Sequence, residues 1–155
     1  MSLSESASVR LATQLSSLAL LLQGTSPEAL ERRPAPAKWS ARENIAHLVR
    51  YHEICMERIE RIVAEEKPKL PRYLAEDDPA WPAWTALPAE EVLRRLERLR
   101  AKLIHRIEQL SPKQFERIGV HSRYGEMTLQ LWIEFFLLHE AHHLYVVLQR
   151  LREKA

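Results

Sequence analysis

His139-Glu140-Ala141-His142-His143 places two imidazoles four residues apart at the end of an apolar, helix-patterned run, Leu131-Trp132-Ile133-Glu134-Phe135-Phe136-Leu137-Leu138. On an α-helix such residues share a face with Cβ atoms roughly 6 Å apart, which suits two ligands of a single metal ion. The segment also spells H-E-x-x-H, with Glu140 where a zinc peptidase keeps its general base. A zincin takes a further ligand downstream, yet Leu144 to Ala155 offer no His, no Asp and only Glu153 beside Lys154. Val146 and Gln149 stand where the extended pattern needs Gly and His. Glu140, moreover, projects about 100° round the helix from His139, away from a metal. A third ligand has to come from upstream.

The upstream histidines are His47, His52, His105 and His121. Ser40 and Glu43 form an S-x-x-E capping box that opens a helix. His47 falls about two turns into it, on the stripe of Glu43 and Tyr51, with Asn44 and Cys55 a little round. Its mixed neighbours suit a helix wall leading from a core to a pocket. His121 follows Gly119-Val120 in a turn or short hairpin and is the second choice. His52 points away from the His47 stripe and is expected to face solvent, and His105 belongs to a basic surface. Three protein ligands with an open position define catalytic rather than structural zinc sites. Glu43 is either the cap alone or also a base or a holder of a ligand N–H; His142 is either a supporting group or faces the adjoining helix. The single cysteine, Cys55, excludes an internal disulfide and a Cys-rich zinc site, and reads as a small buried hydrophobe rather than a nucleophile.

The elements that must hold these groups are helices. A first long helix runs from about Leu3 to Gln23 with Leu11, Leu15, Leu18 and Leu22 inward, stopped by Gly24. Ser26-Pro27-Glu28 opens a short one. The second long helix spans Ala41 to about Glu66, the third Ala89 to Leu110, and the fourth follows a Thr128 cap to about Arg152, carrying Trp132, Phe136, His139 and His143 on one face. Ser111-Pro112-Lys113-Gln114 gives another helical turn, and Arg117 to Met127 the one plausible hairpin. Arg72 to Pro88 is a long connection rather than an element. Its Tyr73, Trp81 and Trp84 make a lid or a dimer contact, or else plug the bundle end. Arg95, Arg98, Lys102 and Arg106 form a solvated basic stripe on the third helix. The pattern predicts an all-α four-helix bundle, a fold that builds metal sites from inward side chains on facing helices.

With 155 residues, 46% of them hydrophobic and 28% charged, the chain has the size of one domain with a sizeable core. A net charge of +2 makes no case for nucleic acid. No apolar run approaches the length of a membrane span, and the polar start Met1-Ser2-Leu3-Ser4-Glu5 lacks the pattern of a signal peptide, so a cytoplasmic protein is expected.

Trp39-Ser40-x-x-Glu43-x-x-x-His47, the Ser26-Pro27-Glu28 segment ahead of it and His139-x-x-His142-His143 near the C-terminus, in this order and spacing, resemble the DinB/YfiT-like superfamily. The resemblance covers nearly the whole chain and implies a single DinB-like domain over 1–155. It further implies a four-helix bundle, commonly a homodimer, holding a divalent metal, often zinc or nickel, on histidines that correspond to His47, His139 and His143. Characterised branches of that family include thiol S-transferases using bacillithiol and mycothiol-dependent isomerases, which implies a small-molecule substrate and a low-molecular-weight thiol as cosubstrate. Leu144-Tyr145-Val146 departs from the small polar stretch that follows the last His in many members, and this bears on substrate type. An open three-histidine site leaves room for water or a thiol, either of which is activated by the metal. The expected function is therefore a thiol-dependent S-transferase or a related transferase or hydrolase. The rival is a non-catalytic stress-related binding or dimerisation module on the same bundle; behind it stands a zinc peptidase through His139-Glu140-x-x-His143.

Overall fold

The computed structural model describes residues 3–152, so Glu153 lies outside the described residues. Four helical rods pack side by side, three of them opened by a hydroxyl that bonds a free N–H of the first turn. Ser4 Oγ accepts from the Ala7 N–H at 3.1 Å and starts α1 (Glu5–Thr13). The expected single helix to Gln23 is broken, because a 3-10 turn at Gln14–Ser16 precedes α2 (Ser17–Leu22). The hydroxyls of Thr13, Ser16 and Ser17 turn back onto the carbonyls of Val9, Thr13 and Gln14, a local competition with regular helix. The break turns Gln14 inward, where its Nε2 donates to Leu137 O at 3.0 Å and Glu140 Oε1 at 2.8 Å. The short α3 (Pro27–Glu31) is capped by Ser26, as expected.

The central pair is α4 (Ala41–Ala64) and the last helix, α8 (Leu129–Arg152). On α4 also packs α6 (Ala89–Glu108), while α1 and α2 lie against α8. After α4, Lys67 turns the chain with a φ of 44° into β1 (Lys69–Leu70). This strand pairs in parallel with β2 (Ile118–His121), which pairs antiparallel with β3 (Gly125–Thr128). The hairpin was legible from its glycines; the third strand was not, since two residues between Pro68 and Pro71 show no alternation. A Cβ at Gly119 would come within 2.8 Å of Ile62 Cγ1 and 2.9 Å of Trp132 Nε1, so a glycine is what lets β2 lie on α4 and α8. The Trp132 indole N–H then donates to Gly119 O at 3.2 Å. The long connection is more ordered than expected. It holds a 3-10 turn at Ala75–Asp77 and α5 (Trp81–Thr85), and α7 (Pro112–Phe115) is the turn that Ser111 and Gln114 cap.

The core has two apolar halves. One contains Cys55, Ile59, Ile62, Leu103, Ile107, Ile133, Phe136 and Leu137; the other Ile45, Leu48, Val49, Val92, Leu96, Leu144 and Val147. Along every rod a polar group separates them: Gln14, His47 and His52, Arg100, and His139 with Glu140. Glu140 is fully buried and pairs with Arg100, itself buried. His52, expected at the surface, is fully buried too, because α4 is covered by α6 as well as α8 and the stripe turned away from His47 meets protein. Its Nδ1 donates to Leu48 O at 2.7 Å, and burial, with Arg100 behind it, pushes its pKa down to about 3. Cys55 is buried and its thiol is pushed up to about 12, which leaves it no nucleophilic role and fits a small hydrophobe. Among the described residues no helix is long and apolar enough to cross a membrane.

Candidate metal centre

The capping box is formed as the sequence suggests: Ser40 Oγ accepts from the Glu43 N–H at 3.1 Å, and Glu43 Oε2 accepts from the Ser40 N–H at 2.8 Å. It starts α4 at a fixed point, and two turns later His47 faces α8. There His139 and His143, one helical turn apart, present their rings to it. The ring centroids lie 5.1 Å (His47 to His139), 4.4 Å (His47 to His143) and 4.6 Å (His139 to His143) apart. One nitrogen from each ring falls within 4.8 Å of the other two, and the Nε2 atoms of His47 and His139 are 3.2 Å apart. Two ring nitrogens at that distance repel unless a proton or a cation lies between them. A donor set of three imidazoles turned inward on one point suits a divalent ion such as zinc or nickel.

The chain fixes one of the three rings outright. Asn44 Nδ2 donates to Ser40 O at 2.8 Å, which turns Asn44 Oδ1 toward His143 Nδ1 at 2.9 Å. His143 thus carries its proton on Nδ1 and offers the Nε2 lone pair to the cluster. The Nδ1 atoms of His47 and His139 are buried without a partner among the described residues, so packing orients these rings. Tyr51 stacks on His139 at 3.9 Å between centroids, Tyr73 stacks on His47 at 5.7 Å, and Trp39 lies against both His47 and His143. Trp81 packs on Trp39 at 4.9 Å, and Trp84 is buried in the core. The aromatic connection is therefore part wall of the site and part core. Burial pushes all three imidazoles down, His47 to about 4, His143 to about 3 and His139 to about 2, with neighbouring imidazoles adding to it in the last two. At neutral pH each is an uncharged nitrogen donor.

The triad opens on a cavity of about 300 Å³ whose walls include Trp39, Tyr51, Tyr73, Phe135 and His121. The other sequence candidates take other places. Burial raises the Glu43 carboxyl, but Arg33 and the Ser40 N–H together hold it below its ordinary value, and it does not line the cavity. His142 is exposed, its ring edge-on to His143 at 5.2 Å. Glu140 spends its oxygens on Arg100 and Gln14, away from the triad, so H-E-x-x-H here lacks the base of a peptidase. His121 is in the cavity wall but outside the triad, and His105 is exposed and bonded to Gln109. In the sequence Asn44 stands out only as a neighbour of His47, and its place one turn ahead of that histidine was the available signal. Nothing in the sequence marked Arg58, whose Nη1 donates to Tyr51 Oη at 3.0 Å behind the cavity wall.

The model of the DinB superfamily matches residues 10–147. Bacillus subtilis YuaE is 29% identical over 135 residues, covering 79% of this chain and 83% of that protein. An Oceanobacillus iheyensis protein named "putative metal-dependent hydrolase" is 28% identical over 119 residues, 76% of this chain and 67% of its own. Among solved structures, YfiT from Bacillus subtilis, described as "a probable metal-dependent hydrolase with an unusual four-helix bundle topology", superposes with a TM-score of 0.77 at 20% identity, covering 96% of this chain and 89% of that one. The four-helix bundle protein TT2238 superposes with a TM-score of 0.67 at 24% identity, covering 92% and 95%. The four-helix bundle is thus shared with both structures.

Proposed function

This chain belongs to the DinB superfamily, and we propose that it is a divalent-metal-dependent enzyme that transfers a group of a small-molecule substrate to a thiol, with His47, His139 and His143 holding the ion. The observation that carries the reading is the 3.2 Å approach of two uncharged Nε2 atoms with a third imidazole beside them. A divalent ion held there supplies Lewis acidity, which lowers the pKa of a thiol or of water at neutral pH. The chain's own contribution is orientation. Asn44 keeps the His143 proton on Nδ1, and Trp39, Tyr51 and Tyr73 hold the rings from three sides. Arg58 donates to Tyr51 Oη, which fixes the ring that stacks on His139. Neither Glu43, committed to the cap, nor His142, exposed outside the cavity, is assigned a proton-transfer role.

Hydrolysis is the second reading, with water in the thiol's place, and the names of the Oceanobacillus protein and of YfiT support it. As the family resemblance implies, the protein is proposed to act as a cytoplasmic homodimer, which sedimentation velocity tests for the oligomer. The function is tested by elemental analysis of wild type beside His47→Ala and His139→Ala, followed by turnover assays of the loaded protein with and without thiol. Stoichiometric metal lost in both variants, with thiol-dependent turnover, is the expected result. Turnover without thiol selects the hydrolase. A folded protein that takes up neither zinc nor nickel refutes the enzyme reading.

A further inference from the structure

The cavity wall built by the β2–β3 turn and by the chain leaving β1 carries groups that the triad does not use. His121 ends β2 and is 3% exposed, stacked on Tyr124 and tilted against Trp132. The backbone N–H groups of Arg123 and Tyr124 both donate to its Nδ1, at 3.0 and 3.2 Å. A nitrogen that accepts two N–H bonds holds no proton, so the neutral ring carries its proton on Nε2. No described residue accepts from that Nε2. Protonating the ring would put a hydrogen on Nδ1 against two facing donors. The fold therefore keeps His121 as a neutral hydrogen-bond donor in the cavity wall, neither a fourth metal ligand nor a proton shuttle.

Three guanidinium groups stand around this donor without a carboxylate. Arg58 is 7% exposed; it donates to Tyr51 Oη and to Pro71 O and lies over the Trp132 ring. The Arg72 N–H donates to Ser122 Oγ at 3.0 Å, which fastens the segment after β1 to the hairpin turn and sets Arg72 in the same wall as Arg123. None of the three forms an ion pair with a described residue, whereas Arg33, Arg42, Arg50, Arg100 and Arg106 all do. Glu76 is the one carboxylate among the described residues lining the cavity. Arg58 is the buried charge of the three, while Arg72 and Arg123 are exposed; unpaired positive charge beside the His121 donor gives a concave site a positive potential.

We propose that this end of the cavity binds an oxyanion of the substrate, a carboxylate or a phosphate, with His121 Nε2–H and the Arg72 and Arg123 guanidiniums as donors. The inference rests on the cavity being the substrate site proposed above. It makes the cavity two-ended: the reacting group lies at the triad, the acidic group lies at the hairpin, and the Tyr51, Tyr73 and Phe135 rings flank what joins them. Acidic small molecules are then selected over neutral ones.

The test is nitrogen NMR of the histidine side chains in the full, metal-free chain, titrated with inorganic phosphate and, separately, acetate, with sodium chloride as the ionic-strength control. The expected result is an Nε2–H tautomer at His121 and a saturable shift of that resonance with one or both anions. Affinity should weaken about tenfold in Arg72→Gln and again in Arg123→Gln, the effect of losing one charge-assisted hydrogen bond each. Arg98→Gln, an exposed arginine on α6 outside the cavity, should bind as wild type does. Saturation by phosphate alone names a phosphoryl group, and by acetate a carboxylate. An Nδ1–H tautomer, a shift that chloride reproduces, or undiminished affinity in the double arginine variant overturns the subsite. Metal uptake with a flat anion titration removes the subsite alone, whereas anion binding without metal uptake removes the enzyme reading and leaves an anion pocket.

Discussion

Among the described residues, His143 is the one triad member whose proton is placed by a side chain, through Asn44 Oδ1. Asn44→Ala removes that acceptor, and metal affinity measured by chelator competition is expected to fall about 10- to 100-fold, with Asn44→Asp recovering part of it. The triad also sets an acid limit on the metal-free protein. The folded pKa values of His47, His143 and His139, about 4, 3 and 2, lie below the 6.5 of an unconstrained imidazole. Above pH 6.5 the folded and unfolded chains both hold these rings neutral, and the full stability is present. As pH falls below that value the unfolded chain takes up protons that the fold refuses, so stability is lost through the window down to the folded values. The urea midpoint is expected to be lower at about pH 5 than near neutrality, and His139→Phe should reduce the difference. Equal midpoints at the two pH values would contradict burial of the triad.

Among the elements, those that announce themselves do so through local chemistry. Ser4, Ser26 and Ser40 cap helices that the sequence places within a few residues, and the four-residue spacing of His139 and His143 is a property of one helix. Ser40→Ala is expected to cost about 1 kcal/mol in urea unfolding, the usual worth of a hydroxyl cap. What was hidden depends on contacts between distant parts of the chain. β1 is too short to show a period and exists because β2 offers it partners. His52 looked exposed because its covering helix, α6, lies far along the sequence, and Arg100 was lost in a run of arginines that are otherwise at the surface. The position of Gly119 was readable as a hairpin signal but its closeness to Ile62 and Trp132 was not. Gly119→Ala must displace side chains of α4 and α8, and a loss of about 1–3 kcal/mol by the same measurement is expected for such overpacking.

Across the whole molecule, Gln14, His52, Arg100 and Glu140 form a polar belt joining all the rods between the two apolar halves. Removing one charge strands the other, so Glu140→Leu or Arg100→Met alone is expected to cost about 3–5 kcal/mol, while the pair together should recover much of it. A double-mutant cycle measures this. The belt adjoins the triad through His139 and Glu140, neighbours on α8, so the rotation that buries the ion pair is also the one that turns His139 toward His47. The pairing of β1 with β2 adds a constraint of another kind, on time. The strand that leads into the Tyr73 wall closes a long loop and needs a partner made much later by the ribosome. His47 emerges early, yet its two companions reside on the final helix. His139 follows His47 by 92 residues, so a nascent chain holds all three imidazoles together only after the ribosome has made α8.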